Sequence, residues 1–381
     1  MSSATLCFWL GLSTFLVSLS ISYALLGLSK FSLVGQDLTF GVQKVHIAPT
    51  SRLGGGGIAT GLLSAQVVLA CMVPEQSVGL PDRVAQTLGL LLISSTPVFL
   101  GGLVEDLTHK VMPSFRLSLA LVSAGLAYWL MGVGVFNTDV FIVDALLSMP
   151  AAPFFVTLLV VAGFTQSVNI VDGFHGLASG SMIIVVGSLM FISWQCNDGM
   201  LTLICGLTLA SVLGFFLLNW PYGKIFLGDA GAYLVGFWVV LIGLMLVQRN
   251  PCVSPMAPVL IAIFPLVETL FSMYRRKFIR NHPVNRPDHL HLHSLIYRRL
   301  VRGKFLPGTH GSPRYNKSQA NPRVAFYFWL PGLFFAFLAI AFKENTTAQL
   351  ALMLAYVGIY VWLYQRLVSF RAPTWLQVFE H

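Results

Sequence analysis

Long apolar stretches separated by short polar ones dominate this chain, and that alternation commits it to crossing a membrane repeatedly. A spanning helix needs roughly 17–25 largely apolar residues. Segments of this kind lie near 5–28, 58–74, 86–104, 117–136, 152–168, 181–195, 200–218, 231–248, 256–274, 324–342 and 347–366. Apolar residues make up 56% of the chain, charged ones 10%, and the mean hydropathy is +0.77, which excludes an ordinary soluble domain. The expectation is an all-α integral membrane protein: a polytopic bundle of about 11 transmembrane helices forming a single domain over 1–381, with a basic loop at 275–323. The first segment lacks a basic n-region and runs into Lys30 without a small-residue cleavage site, so it reads as a retained helix.

Charge sets the orientation. If the segments alternate in direction, only Arg83, Arg249 and Lys343 of the 23 Lys and Arg fall on one side, and the rest fall on the other. The positive-inside rule then puts the N-terminus outside and the C-terminus in the cytoplasm. The net charge of +9 is thereby a topology signal, and no nucleic-acid partner is expected. Cys7, Cys71, Cys196, Cys205 and Cys252 show no CxxC or Cys/His spacing and read as packed thiols, with neither disulfide nor zinc site.

Four polar motifs lie on the basic side, each beside an apolar run: PTSRLGGGG (49–57), GLVEDL (102–107), NIVDGFHGLASG (169–180) and GDAGA (228–232). Charged groups at membrane depth are costly unless they pair or serve a site. Glu105 and Asp106 form a carboxylate pair that can bind a hard cation or take a proton from a nucleophile; a solvated helix end is the plainer reading. Asn169 and Asp172 stand with Gly173, Gly176 and Gly180, which suits hydrogen bonding or ligation beside a close-approaching backbone; Asp172 alone would also serve as a helix cap. Asp229 sits between glycines at the entrance of a span, where helix N–H groups suit phosphate and the carboxylate suits a metal on it, or where it simply caps the helix. Arg52, followed by four glycines and preceded by His46, offers a phosphate grip or merely a flexible basic turn. The loop RRKFIRNHPVNRPDHLHLHSLIYRR (275–299) carries Arg276, His282, His289, His291 and His293. Its chemistry suits a nucleoside diphosphate or anionic lipid headgroups.

In order, these five motifs closely resemble those of the polyprenyl-phosphate N-acetylhexosamine-1-phosphate transferases, glycosyltransferase family 4, from about His46 to Leu300. The resemblance implies a cytoplasm-facing, Mg²⁺-dependent site, with Mn²⁺ as an alternative. That site would move a sugar-1-phosphate from a UDP-N-acetylhexosamine to undecaprenyl phosphate and release UMP. It assigns Glu105 and Asp106 to the paired acids, Asn169 and Asp172 to the Asn-x-x-Asp-Gly motif, Asp229 to the metal aspartate, and His291 and His293 to the His-rich loop. Roles follow as expectations: Asp229 and Asp172 on the metal, Asp106 aided by Glu105 on the lipid phosphate, and His46, Arg52, Asn169, Arg276, His291 and His293 on substrate. Three positions depart from the family: Glu105 replaces an Asp, His175 stands where a second Asp is frequent, and Ser294 replaces a third His. The last favours the O-antigen-initiating branch over the peptidoglycan one. A polytopic anion or nucleotide-sugar transporter is the competing class, but it would place its ionisable groups within the spans.

Overall fold

The computed structural model describes residues 3–29, 35–37, 50–72, 79–279, 281, 290–301, 320–371, 373 and 376. Its helices are α1 (Ser3–Ser29), α2 (Gly54–Met72), α3 (Leu80–Thr108), α4 (Pro113–Met131), a short α5 (Phe141–Leu147), α6 (Ala152–Val171), α7 (Leu177–Gln195), α8 (Gly199–Asn219), α9 (Gly228–Arg249), α10 (Met256–Ile261), α11 (Ile263–Tyr274), α12 (Leu292–Ile296), α13 (Phe326–Ala341) and α14 (Thr346–Val368). Ten of the described helical segments are long and apolar enough to cross a membrane, and the chain is a multi-pass membrane protein. Helices are the natural outcome because hydrocarbon offers no partner for backbone N–H and C=O groups, and a helix satisfies them within one segment.

Burial sorts these helices. In α9, 83% of the apolar window is buried, against 17% in α14, so α9 forms the axis of the bundle and α14 its rim. Trp238, Phe237 and Tyr233 of α9 are almost wholly enclosed, and Trp238 Nε1 donates to Ser95 Oγ of α3 at 3.2 Å. Helices α3 and α6 pack on α9, while α1 packs on α2 and α8. The latter group meets through small residues: Ser18 Oγ donates to Ser211 O and Ser211 Oγ to Ile58 O, both at 2.7 Å. Small residues of this kind let membrane helices approach closely where burial from water supplies no drive.

The expected segment 256–274 is divided. Helix α10 ends at Ala262 (φ −99°, ψ 21°) and α11 restarts at once, continuing into a π-helical turn, Arg275–Ile279. Pro265 has no N–H to give to the carbonyl of Ile261, and its ring crowds that turn. Other boundaries move outward. Helix α3 runs through Glu105 and Asp106, α7 begins inside the glycine motif, and α9 takes in all of GDAGA. Between α1 and α2, Gln36–Asp37 pairs antiparallel with Thr50–Ser51, and Ser51 bridges to Ile225 in parallel.

Candidate active site

The ends of α3, α4, α6 and α9 meet around Asp229, which is 3% exposed in the first turn of α9. Asp106, fully buried in the last turn of α3, accepts the amides of Asp229 and Ala230 at 2.9 Å each. Thus the amides expected to meet phosphate at this helix N-terminus are already capped by Asp106. Gly228 makes the junction possible at φ +72°, where an added Cβ would lie 2.6 Å from Asp106 Oδ2. Gly102 lets α3 approach so closely that its Cβ would sit 2.6 Å from Ala230 Cα.

Two arginines hold the carboxylates from the open side. Arg52 Nη2 donates to Asp229 Oδ1 at 2.6 Å, and its Nε stands 3.2 Å from Asp106 Oδ1. Arg116 of α4 pairs with the other oxygen of Asp229 and lies 3.9 Å from Glu105 Oε1. Glu105 also accepts the Val111 amide at 2.8 Å, so it fastens the α3–α4 turn. Arg52 is placed by its backbone: its amide donates to Gly35 O, and the Phe226 amide donates to Ser51 O, both at 2.8 Å. The glycines after Arg52 do not wrap a ligand. They open α2, with the Gly54 and Gly55 amides donating to Phe226 and Leu227 carbonyls at 3.0 Å.

From Arg116 a cavity of about 1540 Å³ opens between α4, α6, α9, α10 and α11. Asn169, Asp172, Tyr233, Arg276, His291 and His293 line this end of it. Asn169 Nδ2 donates to Tyr233 Oη at 3.1 Å, and Tyr233 Oη reaches Asp229 Oδ2 at 3.4 Å, which links the cavity to the acidic cluster. His291 and His293 stack in parallel at 5.1 Å. Below them Glu268 of α11, 1% exposed, takes His291 Nδ1 at 2.9 Å and the Leu292 amide at 3.0 Å, with His293 Nδ1 at 3.9 Å. As a carboxylate Glu268 only accepts, so the proton of His291 sits on Nδ1 and its Nε2 is left for a ligand. A Cβ on Gly173 would stand 3.6 Å from His293 Nε2, so the loop and the Asn169 motif adjoin.

Of the residues singled out by sequence, Arg52, Glu105, Asp106 and Asp229 form one cluster. Asn169, Asp172, Arg276, His291 and His293 line the adjoining cavity. His46 lies outside the described residues. His175 is drawn into the fold, its amide donating to Asn321 Oδ1 at 2.8 Å and its Nδ1 standing 3.2 Å from Pro221 O. Arg116, Tyr233 and Glu268 belong to the site and were not foreseen. Glu268 had a signal, as a lone acid inside an apolar run. Asn219 was also missed; its side chain takes the Gly176 amide and gives to Ile225 O, both at 2.8 Å, tying the glycine motif to the approach to α9.

Three carboxylates here face two guanidinium groups, leaving one formal negative charge. Among the described residues no preformed group of three or more His, Cys, Asp or Glu is arranged for a metal. Asp229 and Asp172 are carboxylates of the kind that a hard cation takes as oxygen donors.

Residues 88–247 match the family model described as Glycosyl transferase family 4. The chain is 27% identical over 257 residues to the "Probable undecaprenyl-phosphate N-acetylglucosaminyl 1-phosphate transferase" of Bacillus subtilis, covering 66% of each chain. It is 31% identical over 212 residues to the undecaprenyl-phosphate alpha-N-acetylglucosaminyl 1-phosphate transferase of Thermotoga maritima, covering 56% of this chain and 62% of the relative. With the protein of that name in Escherichia coli K12 it shares 33% identity over 150 residues, 38% of this chain and 41% of the relative. The matched regions thus span less than two thirds of these relatives' own lengths.

Proposed function

We propose that this chain, whose residues 88–247 match the Glycosyl transferase family 4 model, transfers an N-acetylhexosamine-1-phosphate from a UDP-sugar to undecaprenyl phosphate. The product starts a lipid-linked cell-surface glycan, of which O-antigen is an example, at the cytoplasmic side of a bacterial inner membrane. One observation carries the reading: a cluster of acids and arginines stands at one end of a large, mainly apolar cavity whose near wall holds Arg276, His291 and His293. Two polyanions, one soluble and one tethered in lipid, need such a junction. A transporter would need ionisable groups along its path, whereas the cavity's ionisable residues stand at its two ends, Asp139 and Glu344 marking the far one.

In this mechanism an oxygen of the lipid phosphate attacks the sugar-bearing phosphorus of the UDP-sugar. A new P–O–P bond forms, the old one breaks, and UMP leaves. Asp229, with Asp172 as a second ligand, would hold Mg²⁺, which when bound supplies positive charge to pyrophosphate oxygens. Arg52 and Arg116 hold Asp229, and their guanidinium groups turn to substrate phosphate as it enters. Arg276, His291 and His293 grip the nucleotide-sugar. Asp106, capped onto α9, fixes the position of Asp229, and Glu105 keeps Arg116 near it. Transfer of this type rests on positioning and charge neutralisation.

The test is release of UMP by purified protein in detergent micelles containing undecaprenyl phosphate and one UDP-sugar at a time, with Mg²⁺ or with chelator. Release that needs both substrates and metal supports the reading. Transport of intact UDP-sugar into vesicles without UMP would replace it.

A further inference from the structure

At the end of the bundle opposite Asp229, the turn from α7 to α8 meets the turn from α9 to α10. Cys196 Sγ and Cys252 Sγ stand 4.0 Å apart there, though 56 residues separate them in the chain. The thiols are held in register by a neighbouring clamp. Arg249 Nε and Nη2 donate to Asp198 Oδ2 and Oδ1 at 2.5 and 2.9 Å, and Asn250 Nδ2 reaches Asp198 Oδ2 at 3.4 Å. Burial pushes the Asp198 carboxyl up, but the bonds from Arg249 and the Leu201 amide prevail and hold it below the usual range, so the clamp is an ion pair. Asp198 lies two positions after Cys196, and Arg249 three before Cys252, so the same contact that joins the turns presents the sulfurs to each other. Both turns are also tied internally, Cys196 N to Ile192 O at 2.9 Å and Val253 N to Asn250 O at 2.9 Å.

We propose that Cys196 and Cys252 are a disulfide site, oxidised in the protein as it matures. The positive-inside orientation puts these turns in the oxidising compartment, where disulfides form and persist. Bonding to about 2.05 Å needs the sulfurs to close from their thiol separation, which rotation about the Cα–Cβ bonds and a small shift of the turns supply. The oxidant is a protein disulfide of a thiol–disulfide oxidoreductase. The Cys252 thiolate, exposed, attacks one of its sulfurs and expels the other as a thiolate. The Cys196 thiolate then attacks Cys252 Sγ in that mixed disulfide. One intrachain S–S bond forms, and the oxidant leaves as a dithiol that carries the two electrons and, by way of water, the two thiol protons. Burial and the nearby Cys252 thiol push the Cys196 thiol up, which suits the later, resolving position. Cys252, Pro251, Val253 and Ser254 also line the far end of the large cavity, so the bond fastens the wall of that end to α7 and α8.

The experiment uses the full chain, with membranes quenched in N-ethylmaleimide and then fully denatured with the reagent still present, and counts alkylated cysteines by mass before and after reduction. Of the five cysteines, three are expected to be labelled before reduction and all five after it, with a peptide mass joining Cys196 to Cys252. Cys252→Ser and Cys196→Ser are each expected to give four labels with or without reduction. Labelling of all five without reduction, or a bridge that maps to Cys7, Cys71 or Cys205, overturns the proposal. The readout does not involve sugar-phosphate transfer, so it stands or falls apart from that reaction.

Discussion

Asp106 and Asp229 are both buried carboxylates, yet their surroundings give them different work. Both oxygens of Asp106 are taken by backbone amides, whereas those of Asp229 face guanidinium groups, which can exchange for other cations. Asp229→Asn keeps the shape and loses the charge, so UMP release is expected to fall by on the order of 10²-fold or more while the detergent-solubilised protein keeps its melting temperature. Near-normal turnover in that variant would remove Asp229 from the reaction. Asp106→Ala strips the caps from two buried amides, each worth about 1–3 kcal/mol when left without an acceptor. A lowered melting temperature is expected together with lost turnover, measured by thermal unfolding beside the UMP assay. Glu105→Gln removes only a turn fastener and a long ion pair, so the expected loss in both readouts is smaller than for Asp106→Ala. Equal effects would mean that the two acids share one role.

Among the elements, α11 carries more of the site than its sequence suggests. Pro265 breaks the expected 256–274 segment, and the restarted helix carries Glu268 beneath His291 and His293. If Glu268 sets the proton of His291 on Nδ1, Glu268→Gln is expected to raise the KM for UDP-sugar roughly tenfold or more, since a charge-assisted bond becomes a neutral one. It should leave the KM for undecaprenyl phosphate unchanged. An unaltered KM for UDP-sugar with a lowered melting temperature would reduce Glu268 to packing. The elements themselves were largely legible, because apolar length dictates a spanning helix whatever its neighbours. So were Arg52, Asp106, Asp229, Asn169 and the two histidines, because short charged motifs beside apolar runs demand a reason. The partners were not. Arg116, Tyr233 and Asn219 sit one per helix end, and only tertiary packing brings them to Asp229 or to the glycine motif. Likewise no spacing rule points from Cys196 to Cys252, whose sulfurs come near each other only because two distant turns meet.

At the scale of the whole molecule, the proposed reaction assigns phosphates to the charged cluster and polyprenyl hydrocarbon to the long cavity. The cavity's middle is walled by residues such as Val156, Leu159, Val160, Val240 and Leu244, with Gly163 of α6 among them. No atom lies within 4 Å of where a Cβ on Gly163 would stand, so a larger side chain there projects into free space. Replacing an interior helical glycine also removes a backbone penalty of about 0.5–1 kcal/mol, which works against any loss of folding. Gly163→Leu is therefore expected to leave expression, melting temperature and the KM for UDP-sugar unchanged, and to raise the KM for undecaprenyl phosphate roughly tenfold or more, because one buried Leu side chain displaces hydrocarbon contact worth about 1.5–3 kcal/mol. A short-chain polyprenyl phosphate, whose tail need not pass Gly163, should be far less affected. If long and short acceptors respond alike, the tail runs elsewhere on the bundle and the cavity needs another occupant. If instead the KM for UDP-sugar rises, the cavity belongs to the nucleotide, and the division of labour between cluster and cavity is reversed.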